Sequence, residues 1–100
     1  MSDRYLLTFV APPALEEPLV DWLLERESQY GFSSFPVNGH SSRHDGLTLA
    51  EQVSGRKKHI RFEMHLSESD SWELVHGLQR DFAGTGIHYW ITPIIECGRV

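Results

Sequence analysis

The segment His59–Leu66 alternates strictly between polar and large apolar residues. Ile60, Phe62, Met64 and Leu66 are apolar, and the residues that alternate with them are histidine, arginine or glutamate. Successive side chains of a strand point to opposite faces of a sheet, so a period of two predicts a strand with one buried and one charged face. The chain must therefore build a sheet that leaves one of its faces without a cover from its own helices.

Three other segments are typical of strands, because they are rich in apolar and aromatic residues and end near proline, glycine or polar residues. They are Tyr5–Val10, Phe32–Val37 and Tyr89–Ile95. Apolar residues at helical spacing lie between these strands and predict two amphipathic helices. In the first helix they are Leu15, Leu19, Trp22 and Leu23, and in the second Leu74, Val75, Leu78 and Phe82.

The expected helix ends follow from local chemistry. Pro18 falls in the first turn, where its missing N–H has no intrahelical acceptor to serve. Asp70 with Glu73 predicts a capping pair at the start of the second helix, and Gly84 predicts its end. The order β-α-β, long loop, β-α-β predicts an α+β fold, a ferredoxin-like βαββαβ sandwich in a single domain over residues 1–100. Two helices would cover one face of a four-stranded antiparallel sheet.

The connection between the second and third predicted strands is unusually long. It spans roughly twenty polar residues, whereas connections in compact domains are usually about 4–6 residues long. Loops of this length are normally functional or disordered, and we expect a flexible loop at about residues 39–58. His40 and His44 lie in it, four residues apart, and Arg56-Lys57-Lys58 form a cationic run at its end.

Composition excludes several classes of function. The net charge of −5 argues against a nucleic-acid partner, which would require a basic face. The single cysteine, Cys97, excludes an intrachain disulfide and a Cys-x-x-Cys metal site. No apolar run approaches the roughly 20 residues of a membrane span, so we expect a cytoplasmic protein that is not embedded in a membrane. No nucleophile–base pair or phosphate-binding loop motif is visible, which predicts a protein that is not an enzyme.

Three local patterns resemble the PII-like signal-transduction superfamily, over roughly residues 4–95. Val37-Asn38-Gly39 resembles the exit from strand two, Lys58–Glu63 the return into strand three, and Gly84–His88 the glycine-rich turn before the last strand. Phrases such as Pro12–Glu17, Leu49–Val53 and His88-Tyr89-Trp90 are similar to a small proteobacterial branch often encoded beside heavy-metal efflux pumps. The loop has no tyrosine, so control by nucleotidylation of a loop tyrosine is not implied.

The resemblance implies a regulatory homotrimer whose long loop contacts a protein target, such as a heavy-metal efflux transporter in the membrane. It also implies a site between subunits for an anion or a nucleotide. The residues of this predicted site are Gly39, Arg56, Lys58, Glu63, Gly84, Thr85, Gly86 and His88.

A second interpretation of the residues stays open. His40 and His44 are candidate ligands for a divalent transition metal if the loop is locally helical, since imidazole binds Zn, Cu, Ni or Co. The chain would then be a metal-binding or metal-buffering protein. The alternative for these two residues is a pair of solvated loop histidines. His59, His65 and His88 are expected on the open face of the sheet.

Overall fold

A computed structural model describes residues 4–26, 31–40 and 56–100 of the chain. Its strands are β1 (Tyr5–Ala11), β2 (Ser33–His40), β3 (Arg56–Leu66) and β4 (His88–Pro93), and its helices are α1 (Glu16–Arg26) and α2 (Glu68–Asp81). A short 3-10 turn, Pro13–Leu15, leads into α1. The strands form one antiparallel sheet in the order β2-β3-β1-β4, which confirms the predicted α+β, ferredoxin-like architecture.

The core lies between the two helices and one face of the sheet. Leu7 and Phe9 of β1 pack beside Phe62 and Met64 of β3, and all four side chains are buried. The Phe9 and Phe62 rings stack at 5.0 Å between centroids, because these two residues are direct cross-strand partners. The predicted apolar face of β3 is thus confirmed as the core face.

Each helix contributes one apolar side to this core. Leu19, Trp22 and Leu23 of α1 are buried, as are Val75 and Leu78 of α2. Among the described residues, no helix is long and apolar enough to cross a membrane.

The start of α2 differs from the predicted capping pair. Ser67 is the N-cap residue, and its Oγ accepts a hydrogen bond of 3.0 Å from the backbone N–H of Asp70. Asp70 therefore lies in the first turn, where its charge favours the helix dipole. The prediction that Asp70 caps the helix is wrong because the helix starts three residues earlier, at a serine whose extended backbone suits the cap.

Strands β2 and β3 run further toward each other in sequence than predicted. Residues 37–40 pair with residues 56–59, beyond the last pair that β3 makes with β1, at Ala11 and Ile60. We call this two-stranded extension the hairpin arm. Parts of the expected flexible loop at about 39–58 are therefore paired strand, and residues 41–55 lie outside the described residues.

Candidate functional site

The face of the sheet opposite the helices carries a compact cluster of charged and aromatic side chains. We call this side the open face. Arg61 Nε donates a hydrogen bond of 3.1 Å to Glu63 Oε2, two residues along β3. The Arg61 guanidinium also lies over the Trp90 ring of β4, with its Cζ 5.2 Å from the ring centroid. A cation above an aromatic face is attracted by the ring quadrupole, so Trp90 and Glu63 together fix the arginine.

Thr8 of β1 lies in the same region of the open face. It pairs with Glu63 on one side and Trp90 on the other, so its side chain shares their face of the sheet. Its side chain is fully buried, and its Oγ1 has no hydrogen-bond partner among the described residues. An unpaired buried hydroxyl is costly, which marks this point of the sheet as unusual.

The open face is amphipathic rather than simply charged. Phe35 and Trp90 are each 38 % exposed, and Leu6 and Val10 between them are half-buried. By strand register, His59, His65 and His88 lie on this face as expected, although β3 separates the first two by six residues.

The hairpin arm brings together part of the predicted anion site. Gly39 pairs with Lys57, next to the Asn38–Lys58 pair. The ring of His59 packs close to Gly39, since a Cβ at Gly39 would lie 3.4 Å from two of its ring atoms. Any larger residue at position 39 would have to displace this imidazole.

Other members of that predicted site do not converge within one subunit. Strand alternation puts Lys58 on the face of Ile60, whereas Glu63 lies on the open face. Five residues of strand also separate Lys58 from Glu63, a span of roughly 16 Å. Arg56 begins β3, opposite His40 and further still from Glu63. If these residues share a site, they must do so between subunits, as the resemblance implies.

The predicted glycine turn lies between α2 and β4. Gly84 and Gly86 have φ angles of 75° and 85°, which L-residues with a Cβ rarely adopt. Thr85 closes the turn, because its Oγ1 donates a hydrogen bond of 2.6 Å to the carbonyl oxygen of Phe82. His88 follows as the exposed first residue of β4. The turn comes directly after the C-terminal end of α2, whose partial negative charge opposes an anion, so cations from elsewhere would be needed.

The predicted metal ligands receive no support from the described part of the chain. His40 is an exposed residue at the end of β2, and His44 lies outside the described residues. No three His, Cys, Asp or Glu side chains in residues 4–26, 31–40 and 56–100 are grouped so that they could bind a metal ion.

Thr8 and Trp90 were missed as members of the candidate site. Thr8 is a polar residue inside the apolar run Tyr5–Val10, and this interruption was a usable signal. Trp90 gave no comparable signal, because its position over Arg61 depends on β4 lying two strands away from β3.

Solved structures of known proteins share this fold. A DUF3240 family protein from Shewanella baltica OS155 is 26% identical, with a TM-score of 0.76 over 100% of this chain and 99% of that one. CPII of Thiomonas intermedia K12, a nitrogen regulatory PII-like protein bound to ADP, AMP and bicarbonate, is 18% identical, with a TM-score of 0.69 over 97% and 94% of the two chains.

A protein of Thermus thermophilus, named for its likeness to PII signalling proteins, is 22% identical. Its TM-score is 0.65, over 91% of this chain and 86% of that one. These likenesses confirm the predicted PII-like fold. No curated protein matches the sequence significantly. The match to the DUF3240 family, described as proteins of unknown function, extends over residues 1–100, and the chain therefore belongs to that family.

Proposed function

We propose that residues 1–100 form one PII-like domain that acts as a non-catalytic signalling protein in a homotrimer. The open face carries this proposal. It exposes Phe35 and Trp90 around a half-buried Arg61–Glu63 pair, and a surface with this mixture of apolar and paired charged groups is typical of a face covered by another subunit. The fold shared with PII-like proteins supports the same interpretation of this surface.

The Arg61–Glu63 pair suits a symmetric interface. Both side chains keep about a third of their surface exposed, 34% and 29%, so each can reach a neighbouring molecule. On assembly, Arg61 could exchange its own glutamate for Glu63 of the partner subunit without loss of charge pairing. The intrachain pair would then keep both charges paired in the free subunit.

Light scattering at micromolar concentration tests the assembly. We expect three times the subunit mass of 11.5 kDa. Trp90→Ala should reduce that mass, whereas Trp72→Ala should not, because Trp72 is a similarly exposed tryptophan on α2, on the other side of the sheet. A monomeric mass for the unmodified protein would refute the trimer.

We further propose that the trimer binds a phosphate-bearing ligand between subunits. Gly84, Thr85 and Gly86 would offer backbone N–H groups, and Lys58 with Arg56 of a neighbouring hairpin arm would offset the charge, with Gly39, Glu63 and His88 completing the site. Two features support this. The space around Gly84 and Gly86 is open, since a Cβ added at either residue would meet nothing within 4 Å, so a ligand can approach the backbone. A PII-like protein of the same fold was solved with ADP and AMP bound.

Calorimetry with ATP, ADP and AMP tests this site. Lys58→Ala should weaken binding, whereas Lys57→Ala is a matched control, since the neighbouring lysine lies on the opposite face of the strand. Both variants should keep the mass of the trimer. Equal losses in the two variants, or no nucleotide heat at all, would contradict the proposal.

The remaining part of the proposal concerns the target. The segment between the two strands of the hairpin arm, residues 41–55, would contact a protein such as a heavy-metal efflux transporter. The competing hypothesis is metal buffering by His40 and His44. Titration with Zn²⁺ and Cu²⁺ separates the two, because binding that His40→Ala with His44→Ala abolishes, and that weakens below about pH 6.5, would favour the metal-binding protein.

A further inference from the structure

A half-open cavity lies on the helix side of the sheet, behind the glycine turn. Its volume is about 310 Å³, and it is bounded by the C-terminal half of α2, the Gly84–Gly86 turn and the start of β4. This volume is at the lower end of the range found for small-molecule sites, about 300–1,000 Å³. We call it the α2 cavity. Neither Lys58 nor Glu63 lines it, so it is separate from the anion site proposed above.

The base of the α2 cavity is apolar and firmly placed. Val75 and Leu78 belong to the buried core. Phe82 meets the Trp22 ring edge-on, with 5.7 Å between the ring centroids and 86° between the planes. Since these side chains are packed on their far sides, the apolar base exists before any ligand arrives, which lowers the cost of binding.

The rim of the cavity is polar but uncharged. Gln79, Thr85 and Tyr89 contribute side chains there, and no Lys, Arg, His, Asp or Glu is among the described residues that line the cavity. Thr85 donates its hydroxyl proton to the Phe82 carbonyl, so the oxygen of that hydroxyl remains an acceptor.

The local electrostatics favour a positive group over a negative one. The last carbonyl groups of α2 point toward this end of the helix and give it a partial negative charge. Phe82 and Tyr89 add aromatic rings, whose faces attract cations. A cation with an apolar body therefore matches both the base and the rim.

We propose that the α2 cavity binds a small apolar amine, such as an aryl-alkyl ammonium ion, with its ring on Val75, Leu78 and Phe82. The ammonium group lies at the rim, near Gln79 and the end of α2. This site does not depend on the trimer or on the nucleotide site.

Three probes of matched shape and different charge test the class of ligand. They are 2-phenylethylamine, 2-phenylethanol and 3-phenylpropanoate, followed by ligand-observed NMR and calorimetry on the full chain. We expect the amine to bind tightest and the carboxylate weakest. Tighter binding of the carboxylate, or no binding of any probe at millimolar concentration, would overturn the proposal.

Substitutions at Gln79 test the position of the charged group. Gln79 is exposed, so a change there should leave the fold intact. Gln79→Glu should tighten binding of the amine, and Gln79→Lys should weaken it, each by about threefold, the size expected for a partly exposed charge pair. Glu73→Gln is the control, because it changes the charge of the same helix away from the cavity. Equal affinities in both Gln79 variants would refute the site, as would an equally large effect of the control.

Discussion

Trp22 Nε1 donates a hydrogen bond of 2.8 Å to Asp81 Oδ2 and so joins α1 to the last residue of α2. Arg26 strengthens the same junction. Its guanidinium lies 4.0 Å above the Trp22 ring, and its Nη2 is 3.3 Å from Asp81 Oδ2. Trp22 is thus held by a hydrogen bond at its nitrogen, a cation on one ring face and Phe82 at its edge.

Gly77→Ala should destabilise the protein. A Cβ at position 77 would lie 3.0 Å from Trp22 Cζ2 and 3.2 Å from Cη2, and the fixed indole has little room to move away. Overpacking costs about 1–3 kcal/mol, which exceeds the gain of roughly 1 kcal/mol from replacing a helical glycine by alanine. Urea unfolding measures the difference.

The Trp22→Phe background is the control for that clash. Without the indole, Gly77→Ala should become neutral or stabilising, and the double-mutant cycle should show coupling of about 1 kcal/mol or more. Additive effects would mean that the close approach of Gly77 to Trp22 has no energetic consequence.

The protein should lose stability in acid partly through Asp81. The hydrogen bond from Arg80 comes first among the causes that lower the pKa of this carboxyl below 3.8, followed by the hydrogen bond from Trp22. A lowered pKa in the folded state contributes stability above the unfolded pKa, and this contribution is lost as the pH falls through the folded value. Asp81→Asn should therefore flatten the fall in melting temperature below about pH 4, relative to the unmodified protein. Parallel pH profiles for the two proteins would contradict this.

Thr8→Val should stabilise the free subunit. The substitution keeps the shape of the side chain and removes a buried hydroxyl that has no partner among the described residues. The expected gain in unfolding free energy is about 1 kcal/mol. Thr92→Val, at an exposed position of β4 on the same face, is the matched control and should change little. A loss of stability in Thr8→Val would indicate that the hydroxyl is hydrogen-bonded in the assembled protein.

Alanine in the glycine turn should be destabilising for conformational reasons alone. Gly84 and Gly86 both have positive φ angles and open space around a Cβ, so Gly84→Ala and Gly86→Ala should each cost about 1–2 kcal/mol without a steric clash. Gly98→Ala is the control, since position 98 has the same open space and no positive φ angle. Equal melting temperatures for all three variants would show that the turn carries no conformational demand.

The elements of the fold could be predicted from local patterns. The alternation in His59–Leu66 identified the core face of β3, and the helical spacing of Leu19, Trp22 and Leu23 identified the buried side of α1. These predictions succeed because burial of apolar side chains is repeated along each element, so that every residue reports the same face. The glycine turn was also visible, since it needs residues that tolerate positive φ angles.

The candidate site depended on the tertiary structure. Arg61 and Trp90 are 29 positions apart in the printed sequence, and they meet only because β1 lies between β3 and β4 in the sheet. Thr8 is buried by the same arrangement, as its neighbours on the two flanking strands close over it. Local periodicity specifies which way a side chain points, and the order of strands decides which side chains it meets. The amino-acid pattern alone thus determined the elements and their buried faces, whereas the contacts on the open face arise from non-local pairing of the strands.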